Sequence, residues 1–340
     1  LLVTAFLSAW LDNVTTIILI APVTILMTQI LEIPAAPILI LEAIFSNIGG
    51  TSTLVGDPPN IIIGSQSHLY FKDFIVNLGP IIIVIALISL AAVLLFLRNS
   101  MKVSNEARRR LAEAQAARAI VNAPRLRKAL PILGLVIVGF FFSHALEVET
   151  GLLALAGAFV MILICRVEPH EVLAKVEWNA LLFFVGLFML IGCLEYNGTF
   201  TLLGNEIVHA TRGNLLLCAM VILWCSALAS AIVDNIPLVI SMIPLIKTVV
   251  PAFAMQMGLD PSGEATQRLV AEPLYWSLAL GACLGGNGSL VGASANVVVA
   301  QIARRNKYRL TFMDFTAYGL PMMLVSLVCS TIYIYLRYFR

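Results

Sequence analysis

The sequence predicts an all-α polytopic membrane protein made of inverted repeats, each with a re-entrant helical hairpin and a broken transmembrane helix. Three observations predict it. The 340 residues are 60% hydrophobic and only 12% charged, with a mean hydropathy of +0.96, whereas a soluble domain carries about 25% charged residues. Several apolar runs reach the ~20 residues that span a bilayer. Two polar interruptions of apolar sequence also occur twice, in the same order.

The longer interruption is Gly49-Gly50-Thr51-Ser52-Thr53-Leu54-Val55-Gly56-Asp57-Pro58-Pro59-Asn60, inside an apolar run from Pro37 to Gly64. No helix runs unbroken through it. Pro58 and Pro59 supply no N–H, and Pro58 biases Asp57 away from the α region. In hydrocarbon, freed backbone groups are tolerated only against protein or a polar cavity. A break carrying Asp57, Asn60 and three hydroxyls therefore reads as a binding site. The motif returns 236 residues later as Gly285-Gly286-Asn287-Gly288-Ser289-Leu290-Val291-Gly292-Ala293-Ser294-Ala295-Asn296, with six of twelve positions identical. The shorter block, Ser8-Ala9-Trp10-Leu11-Asp12-Asn13, returns 222 residues later as Ser230-Ala231-Ile232-Val233-Asp234-Asn235.

Residues 1–97 are the first repeat. Its hairpin has apolar arms at 1–11 and 14–31 around Asp12-Asn13-Val14-Thr15-Thr16. An arm of about 11 residues covers ~16 Å, half of a ~30 Å hydrocarbon core. A full span would instead put Asp12 at the bilayer centre, at ~2.5–3.5 kcal/mol or more unless it faced a polar interior. Glu32–Pro37 turns out of the hairpin, the broken helix covers 37–64, Ser65–Asp73 is a short loop, and 74–97 is an uninterrupted span. Residues 98–128 form a basic connector, read as a surface helix with Glu106 four residues before Arg110.

Residues 129–340 are the second inverted repeat. Scaffold spans occupy 129–196, as 129–146, 151–165 and 178–196, with small residues in 181–192 for close helix packing. The second hairpin covers 214–250, with Asp234-Asn235-Ile236-Pro237 at its tip. The stretch 251–271 is expected to be the longest loop, 272–303 the second broken helix and 316–336 the last span. Eleven residues precede Asp12, against about 100 before Asp234 in its own repeat, so roughly three upstream helices are expected to be missing.

Charge placement supports this topology. With each hairpin returning to its own side, segments 98–128, 166–177 and 304–309 fall on one face. They hold 15 of the 21 Lys and Arg residues, as cytoplasmic segments do. The hairpins then open on opposite faces of a bacterial or archaeal plasma membrane. A net charge of +2 gives no case for nucleic acid. Six cysteines fall in apolar runs without a Cys-x-x-Cys pair, and four histidines lie near span ends without metal-ligand spacing.

Two tips and two breaks meeting near the midplane make a cage of oxygens. Asn13, Thr15, Thr16, Gly50, Thr51, Ser52, Thr53 and Asn60 come from one half. Asn235, Gly286, Asn287, Gly288, Ser289 and Asn296 come from the other. Hard cations take such oxygens, which marks Asn13, Gly50, Asn235 and Gly286 for Na⁺. Half-helix N-termini suit a small anion. Asp12 and Asp234 suit proton carriage, and hairpin-tip capping is their alternative role. Asp57 stands in one copy only. It serves either a coupling ion or as N-cap of a helix beginning at Pro58-Pro59. Glu42, Glu195 and Lys247 also interrupt apolar runs, nearer span ends, where snorkelling or pairing suffices.

No enzyme is expected. Gly50–Gly56 lacks the Gly-Lys-Ser/Thr of a phosphate loop, Ser289 sits in no Gly-x-Ser-x-Gly turn, and His-Glu-x-x-His is absent. No cofactor is expected beyond a coupling Na⁺ or H⁺. The expected partners are a small inorganic or organic anion and membrane lipid.

At Asp12-Asn13-Val14-Thr15-Thr16 and Gly56-Asp57-Pro58-Pro59-Asn60 the chain resembles the ion transporter superfamily, which includes arsenite permeases, D-type sodium/proton antiporters, P-protein-like permeases and divalent-anion/sodium symporters. Those motifs, with Val176-Glu177-Trp178 leading into Leu182-Phe183-Phe184, look most like the P-protein-like and citrate-transporter-like branch. The resemblance covers essentially the whole chain and is specific to the superfamily, not to a substrate. It implies an elevator-type secondary transporter, a homodimer among relatives, moving a small anion or metalloid oxyacid with H⁺ or Na⁺. Alternatives are a sodium/proton antiporter, a sodium-coupled di- or tricarboxylate transporter, or an anion channel on the same fold. The symporters' Ser-Asn-Thr tips fall on Asp12-Asn13-Val14 and Asp234-Asn235-Ile236. Ser and Thr are both replaced, which favours proton-coupled exchange.

Overall fold

Helix starts and stops in this chain follow from local chemistry. Asp12 caps one helix by accepting from Thr15 N at 3.2 Å, and Asp234 caps its counterpart by accepting from Ile236 N at 3.4 Å. Thr311 and Asp314 form a reciprocal capping box before the last helix. Glu32, His68 and Arg166 end helices in the left-handed conformation.

The computed structural model describes residues 1–97, 103–113, 123–146, 148–174, 176 and 178–340. Residues 98–102 and 114–122 of the expected connector, and Glu177 of the family motif, lie outside the described residues. Among those described, every regular element is helical. The first part holds α1 (Leu2–Ser8), α2 (Asn13–Leu31), α3 (Ala35–Gly50), α4 (Pro58–Ser67), α5 (Phe71–Leu97) and α6 (Asn105–Glu113). Then come α7 (Ala123–Leu146), α8 (Thr150–Cys165), α9 (Pro169–Leu173), α10 (Trp178–Tyr196) and α11 (Thr199–Ala210). The last part holds α12 (Leu215–Ser230), α13 (Asn235–Gln256), α14 (Glu264–Thr266) leading through a π-turn into α15 (Glu272–Gly285), α16 (Ser294–Arg305) and α17 (Phe312–Tyr338).

By length and composition, six of the described helices can cross a membrane, or seven if the bent pair α10–α11 is one span. Their outward faces carry exposed Leu95, Leu135, Leu182 and Ile332. Such a surface is stable against lipid and not against water. The protein is an integral membrane protein.

The centre belongs to the two interrupted helices. Leu39–Gly50 of α3 and Pro273–Gly285 of α15 are buried at every position. A helix packed on all sides needs apolar or small residues all round, and both have them apart from Glu42 and Asn47 of α3. Each is held first by its own hairpin, α3 by α1 and α15 by α12. The second arms cross over: α2 packs on α16, and α13 packs on α4.

The glycines at the breaks answer to packing. A Cβ on Gly292 would lie 2.6 Å from Gly286 O and 2.7 Å from Ser230 O. Gly50 and Gly56 press on each other's carbonyls in the same way.

Several expectations are corrected. The stretch 251–271 is mostly helix: α13 continues to Gln256 and helix resumes at Glu264. Pro251 sits inside α13, where proline ordinarily ends a helix. Residues 199–210, given no element from the sequence, form α11, bent 69° from α10. The loop at 65–73 shrinks because α4 runs to Ser67. The second hairpin arms are not half-length: α2 has 19 residues and α13 has 22, each enough for the whole ~30 Å core.

Two sets of contacts define two ends of the bundle. At one, Arg110 of α6 meets Glu32 at 3.4 Å, and Gln29 donates to Tyr308 Oη at 3.3 Å. Arg110 also pairs with Glu106 at 2.6 Å. At the other end, Lys247 donates to Gln66 at 2.8 Å, Gln267 to Ser67 O at 3.1 Å, and Tyr338 Oη to Asn77 Oδ1 at 2.7 Å.

Candidate functional site

Both hairpin tips and both helix breaks open onto one cavity of about 340 Å³. The wall is assembled in pairs from the repeated blocks: Asp12 with Asp234, Asn13 with Asn235, Val14 with Ile236, and Pro58 with Ser294. Asp57 is the unpaired member, since the matching position holds Ala293. Leu181, Phe183 and Phe184 of α10 close the opposite side with apolar surface, beside Val176.

Asp57 is the hub of the polar wall. It is fully buried, and its Oδ1 accepts from Asn13 Nδ2 at 3.2 Å and Asn235 Nδ2 at 3.5 Å. One carboxylate oxygen thus receives both hairpin tips. Its Oδ2 has no hydrogen-bond partner among the described residues, with the Cys283 thiol as the neighbouring polar group. Asp57 stands at the N-cap position of α4 but makes no capping bond, so its side chain is committed to the cavity. Asp12 and Asp234 do cap α2 and α13, and both still face the cavity. Ser294 Oγ donates to Asp234 Oδ2 at 3.4 Å.

Behind the wall an amide network fixes the breaks. Asn60 Nδ2 donates to Thr51 O at 3.0 Å and Thr53 O at 2.8 Å. Asn296 Nδ2 donates to Gly286 O at 2.8 Å and Ser289 O at 2.9 Å. Ser289 O also accepts from Gly292 N at 3.4 Å; a buried carbonyl at a break left with no donor costs about 1–3 kcal/mol. Asn47 Nδ2 then bridges the halves, to Asn287 Oδ1 and Asn296 Oδ1, each at 2.9 Å. Its repeat equivalent, Cys283, donates to Asn60 Oδ1 at 3.6 Å.

The expected cage therefore divides. Asp12, Asn13, Asp57, Asp234 and Asn235 line the cavity. Asn60, Asn287, Ser289 and Asn296 support it from behind. The hydroxyls of Thr51, Ser52 and Thr53 turn to the carbonyls of Asn47, Gly49 and Ala9, at 2.7, 2.6 and 2.6 Å. Gly50 and Gly286 serve loop closure, and Gly288 packs on Met323 and Ala231. Thr15 is exposed, and Thr16 is buried, its hydroxyl without a hydrogen-bond partner among the described residues. Of the four positions marked for Na⁺, Asn13 and Asn235 are on the wall while Gly50 and Gly286 are not. Among the described residues no three of His, Cys, Asp and Glu converge as metal ligands.

Sequence reasoning missed Asn47, Ser294 and the α10 wall. Asn47 had a readable signal, an amide in an apolar run just before Gly49-Gly50. Phe183 and Phe184 stood in the family motif, but nothing marked them or Leu181 as cavity wall, because an apolar wall and an apolar packing face read alike.

Residues 1–281 match the family described as citrate transporter. An uncharacterized transporter of Mycobacterium tuberculosis is 42% identical over 341 residues, covering 99% of this chain and 76% of the relative. A 46 kDa membrane protein of Mycobacterium leprae is 39% identical, with the same coverage of both chains. The P protein of Homo sapiens is 32% identical over 411 residues, covering 98% of this chain and 48% of the relative. The chain is a membrane transporter and belongs to the citrate transporter family.

Proposed function

We propose that the chain is an elevator-type secondary transporter that moves a small oxyanion, of the citrate or metalloid oxyacid kind, together with H⁺ or Na⁺. The observation that carries this reading is Asp57, held between Asn13 and Asn235 in a cavity shared with Asp12 and Asp234. The described lining has three carboxyl groups and no Lys, Arg or His. An oxyanion about 5 Å from one unneutralised carboxylate would meet about 3 kcal/mol of repulsion at an effective dielectric near 20. It enters only with the carboxyls protonated or a cation beside them, which makes coupling a condition of binding. A second reading, sodium/proton antiport, is favoured by that same cation-free lining.

The crossed packing of α2 on α16 and α13 on α4 supports hairpins and breaks moving as one block, sliding on the apolar α10 wall. The clustering of Glu32, Arg110 and Tyr308 at one end, with Gln66, Lys247 and Asn77 at the other, supports inverted halves with the basic segments cytoplasmic. The test is flux into proteoliposomes carrying a pH dye, against gradients of citrate, succinate, arsenite and Na⁺. Proton movement with one of these supports the reading. Solute flux that is non-saturating and leaves internal pH unchanged replaces it with a channel.

A further inference from the structure

A second carboxyl group is buried away from the cavity. Glu42 lies in the middle of α3, only 3% exposed. Thr24 Oγ1 of α2 donates to its Oε1, and its Oε2 has no partner among the described residues. Buried polar side chains recur along both α2 and α3. Thr16, Thr24 and Thr28 of α2, and Glu42 and Ser46 of α3, are all buried. Ser46 is one turn from Glu42 on the same face; its hydroxyl donates to Asn13 O at 3.1 Å and lies 3.1 Å from the hydroxyl of Ser8. Asn13 is the residue that reaches Asp57.

The second copy of the sequence shows what the seam between α2 and α3 requires for packing alone. Its equivalents of Thr16, Thr24, Thr28, Glu42 and Ser46 are Leu238, Ile246, Val250, Leu278 and Ala282. All five are apolar there, so packing at these positions does not need polar groups. The polar side chains belong to the half that also carries Asp57. The α-amino group of Leu1 lies close enough to Glu42 to act on it electrostatically; the other charged groups stand at the ends of the seam. On α2 these are Asp12 at the cavity and Glu32 at the other end, where Arg110 meets it. On α16 they are Arg304 and Arg305 in the last turn. α1 has no titratable side chain. Lys72 and Asp73 of α5, Tyr275 and Cys283 of α15, and Asp314 and Tyr318 of α17 are not hydrogen-bond partners of Glu42.

We infer that Glu42 is a second proton-carrying residue of the transport cycle, exchanging a proton between the Asp57 cavity and the Glu32 end of the bundle. In each passage Glu42 takes one proton on Oε2 from the cavity side and releases one toward Thr28 and Glu32, so its own charge is restored. The inference rests on the proton-coupled reading above and adds a positioning and relay residue outside the cavity.

The experiment separates coupling from binding. Wild-type protein, Glu42→Gln, Glu42→Asp and Asp57→Asn are reconstituted and given citrate or Na⁺ gradients. Net proton movement is read by dye, and isotope exchange of citrate or ²²Na⁺ is read at equal pH on both sides. Gln keeps the acceptor for Thr24 and carries no exchangeable charge. The expected result is proton movement reduced at least tenfold in Glu42→Gln, isotope exchange within twofold of wild type, and proton movement recovered in Glu42→Asp. Proton movement unchanged in Glu42→Gln overturns the inference and leaves the Asp57 reading standing. Equal loss of exchange and proton movement in Glu42→Gln makes Glu42 structural and overturns it too. Absence of proton movement in the wild type overturns the coupled reading itself, and this inference with it.

Discussion

Asn47 Nδ2 donates to Asn296 Oδ1 at 2.9 Å, tying the first interrupted helix to the side chain that closes the break in the second. Replacing Asn47 by Ala leaves Asn287 and Asn296 without that donor and Asn13 without one acceptor. Each buried group so orphaned costs about 1–3 kcal/mol. Cys283→Ala removes a weak 3.6 Å thiol contact to Asn60 and the thiol beside Asp57, and leaves no amide unpaired between the halves. Thermal unfolding in detergent is expected to rank Asn47→Ala well below Cys283→Ala, and a reversed order would mean that the amide bridge does not hold the halves.

Asp57→Asn keeps an oxygen for Asn13 and Asn235 but removes the ionisable group. Folding is expected to be retained, by unfolding temperature and size-exclusion profile. Coupled flux should fall to that of empty liposomes. Normal coupled flux in this variant would take Asp57 out of the mechanism.

Asp12 has two duties that substitution can separate. Asn is as good an N-cap as Asp, while Ala loses about 1 kcal/mol of capping. Asp12→Asn is expected to unfold like wild type and Asp12→Ala earlier. Any transport defect shared by both then belongs to the charge in the cavity.

A methyl group on Gly292 would meet Gly286 O at 2.6 Å and Ser230 O at 2.7 Å. Overpacking of this kind costs ~1–3 kcal/mol, so Gly292→Ala should lower the unfolding temperature. Gly151, with open space around it, is the control, and Gly151→Ala should leave stability unchanged. Equal behaviour of the two would remove the packing account of the repeated glycines.

What could be read from the sequence was whatever interrupts an apolar run. Asp12, Asn13, Asp57, Asp234 and Asn235 stood out because polar groups in hydrocarbon need a reason, and the breaks at Gly50 and Gly286 because proline and glycine free the backbone. Helix lengths beyond the breaks were harder. Pro251 suggested a stop, yet α13 continues to Gln256, because tertiary packing of Phe253 and Ala254 in the core outweighs the local penalty. The division between cavity wall and support was not legible either. Asn13 and Asn60 look alike in sequence, and only the fold turns one toward the cavity and the other toward Thr51 and Thr53.

The crossing of second arms between the halves has a consequence for how such a chain can change over generations. Because α2 leans on α16 and α13 on α4, neither copy of the duplicated block is free to drift alone. Where Asn47 has become Cys283 in the other copy, the polar partner it must satisfy still sits across the divide, at Asn60. A change on either second arm is felt in both copies, so the two halves are constrained together even where their sequences have parted.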